Sequence, residues 1–214
     1  MCFFTRKKTV LGKNSFQPKQ EQESLASSRF SKNYTSKSLE IKKIEDECIE
    51  FVSEIIKTKF KLSAKDNLQL KRSFKYGDLF IWEVSFEISE NELLPIIYLR
   101  AKINDDYDDF TVCLEKIWII NELQGFGIGS VFIKEFHKVV KICEGHTIFV
   151  RPGGYDQPRN EAKVLKLTEA LGITPINYSA TTPETRRVFY EKNGYERQES
   201  NSNNEETLYL YYIE

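Results

Sequence analysis

The stretch "NELQGFGIGSVFIKEF", residues 121–136, decides the fold because it joins a glycine-rich turn to an amphipathic helix. Its three glycines, Gly125, Gly127 and Gly129, stand at every second position. Apolar residues then recur at helical spacing over 128–143 and form one broad face. Glycine costs ordering entropy when it is held in one conformation. Three glycines therefore indicate either a tight turn or the close approach of another group to the backbone.

A helix start offers backbone N–H groups without partners inside the helix, and together with the helix dipole they form an anion site. A Walker loop does not fit, because it needs Gly-Lys-Ser/Thr and here Ser130 follows Gly129 directly. A dinucleotide fingerprint does not fit either, because the third glycine is missing. The pattern that fits is Gln/Arg-x-x-Gly-x-Gly/Ala, supplied by Gln124, Gly127 and Gly129.

Strand-like runs surround this turn. Four apolar or alternating runs precede it and one short apolar run follows its helix: 67–76, 77–88, 93–103, 109–120 and 146–150. The polar links "SENE" and "NDDYDD" are short, so neighbouring strands are expected to form antiparallel hairpins. Strand, helix and strand across 109–150 form a βαβ unit, which predicts that its two strands are parallel neighbours.

The remaining segments complete an α/β or α+β domain over 39–214. Amphipathic patterns predict helices over 39–60 and 159–171, and "TPINYSATT" is expected to be extended. A last helix begins after Thr182, a plausible N-cap, and ends at Gly194 as a left-handed cap. "TLYLYYI", 207–213, is the closing strand.

The chain has 214 residues and a formal net charge of −1, but its charge is uneven. Residues 1–37 hold eight Lys or Arg and two Glu, so this end is basic and the remainder acidic. We interpret residues 1–38 as a flexible tail. An arm that binds nucleic acid or a membrane surface is the alternative for that tail. The acidic body favours no nucleic-acid partner.

Cysteine and histidine usage indicates neither disulfides nor a metal. The four cysteines are far apart, and His137 and His146 form no zinc motif. Isolated cysteines in apolar stretches are typical of buried thiols in a reducing compartment. No apolar run approaches the roughly 18 residues that span a bilayer. We therefore expect a cytoplasmic protein without a membrane or metal, as a monomer or homodimer.

A second motif, "VFYEKNGY" at 188–195, gives the glycine turn a context. It resembles the aromatic-Tyr-Glu-Lys-x-Gly-Phe/Tyr signature of the last helix in the GNAT superfamily of N-acetyltransferases, and the Gln124 pattern resembles that superfamily's acyl-CoA pyrophosphate loop. The order of elements over roughly 40–213 is similar too. The resemblance implies a mixed, mostly antiparallel sheet with a central parallel βαβ unit splayed around an acyl-CoA cleft.

The resemblance also implies how acetyl-CoA, a co-substrate, is bound. The main chain near Ile117, Trp118 and Ile119 would bind the pantetheine arm and polarise the thioester carbonyl. The alternative for Gln124 is a solvent-facing cap residue. The loop N–H groups implied to hold the pyrophosphate follow Gln124 and belong to Gly125, Phe126, Gly127, Ile128, Gly129 and Ser130.

The implied reaction is attack of a primary amine on the thioester in a ternary complex. Tyr190 matches the family tyrosine that acts as general acid on the CoA sulfur. Proton transfer from a phenol with a pKa near 10 to a thiolate whose thiol has a pKa near 8.5 is unfavourable, so Tyr190 is alternatively a hydrogen-bond donor to the sulfur. An aromatic residue packed on the sheet is the alternative. Glu115 is the candidate general base, because alternation places it on the face of Ile117 and Ile119. An ordinary exposed charge is equally compatible with Glu115, and weaker base candidates are Asp109, Glu87 and Glu214.

Two departures from the family pattern leave alternatives open. Many relatives carry an asparagine just before the last helix, and "TTPET" has none. The segment 151–182 is longer than the usual link, so its helix either shapes the acceptor pocket or only packs. The leading hypothesis is an N-acetyltransferase whose acceptor is a small amine or a protein amino group. A non-catalytic acyl-CoA sensor or scaffold of the same fold is the alternative.

Overall fold

A single seven-stranded sheet organises the chain. The computed structural model describes residues 32–60, 70–76, 79–90, 92–104, 111–150, 160–174, 182–198 and 208–213. The strand order is β1-β2-β3-β4-β5-β7-β6. The strands are β1 Leu70–Lys75, β2 Leu79–Ser89, β3 Glu92–Asn104, β4 Thr111–Ile119, β5 Thr147–Val150, β6 Glu196–Gln198 and β7 Leu208–Tyr212.

The pairing of these strands confirms the predicted fold class. Strands β1 to β4 are joined as antiparallel neighbours, and β7 pairs antiparallel with both β5 and β6. The pair β4–β5 is parallel, as the βαβ interpretation requires. The result is a mixed, mostly antiparallel sheet with one parallel pair near its centre.

Four helices of ten or more residues accompany the sheet in the described part of the chain. They are α1 Ser38–Lys59, α2 Ile128–Ile142, α3 Glu161–Leu171 and α4 Pro183–Lys192. Helix α4 starts as predicted, because the Thr182 hydroxyl accepts a hydrogen bond from the N–H of Thr185 at 3.1 Å. Gly194 has φ +85° just beyond its end, which is the left-handed conformation that glycine adopts without strain.

The main core lies between one face of the sheet and helices α1 and α2. Alternate residues of the first half of β2, Phe80, Trp82 and Val84, are fully buried on this face. Their rings meet Phe132 and Phe136 of α2 edge to face, with centroids 5.5 to 5.9 Å apart. Because Phe132 and Phe136 are one helical turn apart, they lie on the apolar face predicted for α2, and this face packs against the sheet.

Strand β6 has no counterpart in the sequence prediction. Its residues, Glu196–Gln198, are polar and lack the alternation that marks a strand. They form a strand because their backbones pair with Leu208–Tyr212 at the edge of the sheet. Backbone pairing of this kind leaves no trace in side-chain periodicity.

Part of the predicted tail contacts the domain. Residues 32–36 are helical, the Asn33 amide donates to the Cys143 carbonyl at 3.2 Å, and Tyr34 stacks on Tyr76 at 4.3 Å. The flexible tail over residues 1–31 stays a prediction, because that segment lies outside the described residues. The same holds for the loop "RPGGYDQP" and the extended stretch "TPINYSATT", of which only its first residue, 174, and its last, 182, are described.

Three of the four cysteines, Cys48, Cys113 and Cys143, lie in the described part of the chain, and none of these three forms a disulfide. Burial raises the pKa of the Cys48 and Cys143 thiols to about 12, so both stay protonated at neutral pH. No helix among the described residues is long and apolar enough to cross a membrane. Within the same ranges no group of His, Cys, Asp and Glu side chains is arranged to hold a metal ion.

Candidate functional site

A cleft opens where the parallel pair β4–β5 stops pairing. The ladder runs from Thr111 opposite Thr147 to Leu114 opposite Val150 and ends there. Strand β4 continues to Ile119, so its last five residues have no partner strand on this side among the described residues. A cleft of about 300 Å³ lies along this edge.

The open edge presents backbone groups to the cleft. The Ile120 N–H donates to the Ile96 carbonyl at 2.9 Å, which sets the phase of the antiparallel ladder between β3 and β4. Hydrogen-bonded pairs alternate with non-hydrogen-bonded pairs in such a ladder. The N–H and C=O groups of Ile117 and Ile119 consequently point away from β3 and toward the cleft.

A β-bulge in β4 overturns one expectation about Glu115. Arg100 lies opposite Lys116, whereas Ala101 lies opposite Leu114, so Glu115 is the extra residue. The bulge breaks the alternation, and the Glu115 carboxylate pairs with Arg100 on the opposite face from Ile117, whose cross-strand partner is the buried Leu99. The prediction that Glu115 shares the face of Ile117 and Ile119 is wrong, although all three line the cleft.

The glycine turn closes one end of the cleft. Gly125 and Gly127 have φ of +82° and +81°, and a Cβ on either would meet nothing within 4 Å. Both glycines are therefore required by backbone conformation rather than by space. The N–H groups of Ser130 and Val131 both donate to the Gly127 carbonyl, at 3.1 and 3.2 Å, so helical bonding begins there.

The N–H groups at the very start of α2 come before Ser130, where helical hydrogen bonding begins. Those of Gly127, Ile128 and Gly129 have no carbonyl one turn earlier to bond, as at every helix start. They lie at the positive end of the helix dipole. The Ser130 N–H, which the resemblance places among the pyrophosphate donors, is instead used inside the first turn.

Glycine is required at position 129 for a different reason than at Gly125 and Gly127. A Cβ at this position would lie 2.8 Å from Cδ1 of Ile119 and 3.1 Å from Cε2 of Phe189. The first distance is shorter than Cβ contacts in proteins and the second is tighter than most of them, so Gly129 lets α2, β4 and α4 approach closely. The lack of a side chain at Gly129 is therefore required by the packing of the walls of the cleft.

Gln124 ties the turn to the end of β4. Its side-chain N–H₂ donates to the Ile119 carbonyl at 2.9 Å and to the Asn121 side chain at 3.1 Å. The side chain is exposed, yet it is bonded across the turn rather than capping the following helix. Gln124 thereby fixes the turn against the strand edge that lines the cleft.

Most of the predicted binding residues come together in this cleft. The exception is Phe126, whose half-buried ring instead meets Phe60 edge to face at 5.5 Å. Helix α4 contributes residues that the sequence did not single out as binding residues, among them Thr185 and Arg186. The predicted residues that line the cleft are Glu115, Ile117, Trp118, Ile119, Gln124, Gly125, Gly127, Ile128, Gly129, Ser130 and Tyr190.

The charge of the cleft favours an anion. Among its described lining residues three are cations, Lys116, Arg186 and Lys192, and one is a carboxylate, Glu115. The helix start adds partial positive charge at one end. A ligand with several phosphate charges fits this distribution better than a cation does.

Tyr190 lies in the wall of the cleft and is 5% exposed. Burial raises the pKa of its phenol well above its ordinary value, and the nearby Arg186 only partly opposes this. The ring packs against Phe189, Tyr195 and Tyr209. Tyr190 is therefore a neutral phenol that is better suited to donating a hydrogen bond than to giving up its proton.

A buried histidine holds the tyrosine-rich end of α4 against α2. His137 Nε2 and the Tyr195 hydroxyl are 2.8 Å apart, and the Tyr211 ring stacks on the imidazole at 3.8 Å. Burial, with a smaller effect from Lys134, lowers the pKa of His137 to about 4, so it is neutral at pH 7. The Tyr195 ring in turn contacts the ring of Tyr190, which lines the cleft. His146 is exposed.

The base candidates are placed unevenly. Glu115 Oε2 lies 2.7 Å from Arg100 Nε, so its carboxylate enters the cleft already paired. Glu87 pairs with Lys71 at 3.2 Å and lines a different cleft, beside α3. Asp109 and Glu214 lie outside the described residues. Of the two candidates that the structure describes, Glu115 is the one that lines the cleft.

Asn193 is a polar residue that sequence reasoning did not select. It is 5% exposed, and its side chain bridges α4 to Ser130 of α2. Its position before Gly194 indicated only a helix end. The distance along the chain between Asn193 and Ser130 is 63 residues, so no local pattern could reveal the contact.

The solved structures similar to this chain include several acetyltransferases. One, from Desulfovibrio desulfuricans, is assigned to the GNAT family and is 15% identical, with a TM-score of 0.42 over 64% of this chain and 71% of that one. An acetyltransferase from Thermus thermophilus is 15% identical, with a TM-score of 0.38 over 63% of this chain and 62% of that one. An aminoglycoside 6'-N-acetyltransferase complexed with coenzyme A is 17% identical, with a TM-score of 0.39 over 64% and 73%.

No protein-family model and no curated protein matches the chain. The chain spans less than two thirds of the Thermus acetyltransferase, and identities near 15% speak only about fold. The function proposed below therefore rests on the geometry of the cleft.

Proposed function

We propose that the protein transfers an acetyl group from acetyl-CoA to a primary amine, by direct attack in a ternary complex. The observation that carries this proposal is the shared cleft at the end of the β4–β5 ladder. An open strand edge, a helix start and a buried phenol line it together. Each of these features matches one part of an acyl-CoA thioester.

The donor would lie along the cleft with its phosphates at the glycine turn. The N–H groups of Gly127, Ile128 and Gly129 suit the pyrophosphate, supported by Arg186 and Lys192. The pantetheine arm has amide groups that can bond the N–H groups of Ile117 and Ile119 and the C=O group of Ile117, whereas the Ile119 carbonyl already accepts from Gln124. This arrangement would bring the thioester toward Tyr190.

The chemistry needs a neutral amine, a stabilised oxyanion and a donor for the leaving thiolate. Backbone N–H groups on the open edge of β4 can stabilise the oxyanion. Tyr190 can donate a hydrogen bond to the sulfur without losing its proton, since burial holds its pKa high. Glu115 can take the amine proton directly or through water once its pairing with Arg100 loosens. The acceptor is a small amine or a protein amino group, in the cytoplasm.

The test combines binding with turnover. CoA at millimolar concentration should raise the unfolding midpoint, and acetyl-CoA should be consumed in the presence of some member of a pooled amine panel. Absence of any CoA-dependent stabilisation would overturn the proposal. Tyr190→Phe should then lower kcat by roughly a hundredfold or more with CoA affinity nearly unchanged.

A matched control separates the Tyr190 hydroxyl from its ring. Tyr209→Phe removes a phenol whose ring contacts Tyr190 but which is absent from the cleft lining. This variant should retain kcat. A Tyr190→Phe enzyme with unaltered kcat would remove Tyr190 from the mechanism.

A second candidate function is a non-catalytic acyl-CoA sensor or scaffold. The observation that favours it is the ion pair that engages Glu115, the base candidate of the cleft. This function predicts CoA binding with no transfer to any pooled amine. Wild-type protein that binds CoA and turns over distinguishes the enzyme from the sensor.

A further inference from the structure

The Asn193 side chain joins the two helices that meet at the glycine turn. Its Nδ2 lies 2.7 Å from the Phe189 carbonyl of α4 and 3.2 Å from Ser130 Oγ of α2. Asn193 is buried, whereas Ser130 is half-buried and lines the cleft. A buried amide therefore contacts a hydroxyl at the proposed phosphate seat.

The Phe189 carbonyl determines which way the amide faces. A carbonyl oxygen can only accept, so the atom beside it must be the N–H₂ group and not Oδ1. The same nitrogen uses its second hydrogen to donate to Ser130 Oγ. Asn193 Oδ1 is left buried and without a hydrogen bond among the described residues, so this orientation is kept although it is costly.

The direction of the second bond decides what Ser130 can do. A hydroxyl has one hydrogen and two acceptor lone pairs. Because Ser130 Oγ accepts from Asn193, its own hydrogen is turned away from Asn193 and stays available as a donor. Phosphate oxygens accept hydrogen bonds and do not donate them when fully ionised, so a hydroxyl held in this state is suited to one.

We propose that Asn193 is a positioning residue that holds the Ser130 hydroxyl as a hydrogen-bond donor to a phosphate oxygen of acyl-CoA. The proposal rests on the proposed function, since it assigns a role within the same cleft. The Ser130 N–H is already bonded inside the helix, so the hydroxyl is the group with which Ser130 would bind the phosphate. Asn193 touches neither phosphate nor thioester and acts through Ser130.

The test measures CoA affinity by titration calorimetry. Ser130→Ala should weaken CoA binding by about tenfold, the loss of one hydrogen bond to a charged group. Asn193→Ala, which lets the hydroxyl rotate, should weaken it by a smaller factor. Asn193→Asp should weaken it more than Ser130→Ala does, because a carboxylate draws the hydroxyl hydrogen toward itself and adds negative charge.

A double variant isolates the coupling between the two residues. If Asn193 acts through Ser130, Asn193→Ala adds little to the loss already caused by Ser130→Ala. Independent, multiplying losses would contradict the positioning role. If the Asn193 variants fail to fold, Ser130→Ala alone still decides whether the hydroxyl binds the ligand, and unchanged CoA affinity in it overturns the proposal.

A substrate without phosphate groups distinguishes phosphate binding by Ser130 from a purely structural role, because a structural role would raise KM for both substrates. With S-acetylpantetheine, Ser130→Ala and wild type should have the same KM, because there is no phosphate to bond. An equal rise in KM for S-acetylpantetheine and acetyl-CoA would overturn the proposal. Asn160→Ala, which removes the side-chain cap of α3, is the control that loses stability and keeps CoA affinity.

The outcomes also separate this proposal from the proposed function. Wild-type protein that does not bind CoA overturns both. Wild-type protein that binds and transfers, together with Ser130→Ala at wild-type affinity, overturns only the assignment of Ser130 and Asn193.

Discussion

Acidification should destabilise the protein through His137, and the size of the effect follows from its burial. The pKa of this imidazole is lowered from 6.5 to about 4 in the folded chain. In the unfolded chain it returns to its ordinary value. Between these two pKa values the unfolded chain binds a proton that the folded chain does not, so stability is lost as pH falls.

The expected magnitude for a change from about pH 7.5 to about pH 5.5 is roughly 1.3 kcal/mol of unfolding free energy. Few ordinary carboxylates titrate in this window. Glu45 acts in the opposite direction, since burial raises its pKa. A comparison of variants removes its effect because Glu45 is present in all of them.

Urea unfolding at both pH values measures the effect. Wild type should lose about 1.3 kcal/mol more on acidification than His137→Gln, a variant that keeps a polar side chain but does not titrate. His146→Gln, at the exposed histidine, should behave like wild type. The same loss in His137→Gln and in wild type would refute the assignment of a neutral, buried imidazole between α2 and Tyr195.

Three further predictions concern the cleft. In Gly127→Ala the alanine must adopt φ near +81°, so this variant should lose about 1–2 kcal/mol of unfolding free energy in urea and should also bind CoA more weakly. The control Gly172→Ala, at φ +64° after α3, should lose stability and keep its CoA affinity. Equal CoA affinity in the two variants would contradict the role of the turn. Gly129→Ala should raise the KM for acetyl-CoA by displacing Ile119 while stability changes by less than about 2 kcal/mol; an unchanged KM would be evidence against the packing argument. Glu115→Gln should lower kcat and change less than about 1 kcal/mol of stability, and an unaltered kcat and pH profile would leave Glu115 an ion-pair residue only.

Sequence periodicity predicted most elements because each one depends on neighbours in the chain. Alternation in β2 and the stripe of α2 are local signals, and both elements match within about two residues. Strand β6 was missed because its residues carry no such signal. Its existence depends on backbone pairing with β7, whose partner residues lie further along the chain, from Gln198 opposite Leu208 to Glu196 opposite Leu210.

The cleft was predictable only in part. Glycines at alternate positions indicated an anion seat, yet they did not reveal that Gly129 serves the contact with Ile119 and Phe189. The bulge at Glu115 was invisible, because it arises from the register between β3 and β4 rather than from either strand alone. An assumption of unbroken alternation therefore placed this carboxylate on the wrong face.

The sequence by itself determined the order of the elements other than β6, the parallel βαβ unit, the left-handed cap at Gly194 and the position of Tyr190 in the last helix. Each of these depends on residue types within about one element's length. The tertiary structure alone decided that β4 and β5 part after Leu114, that Glu115 meets Arg100 and that Asn193 reaches Ser130. These depend on contacts between distant segments, where the energy of packing and pairing, and not local propensity, selects the geometry.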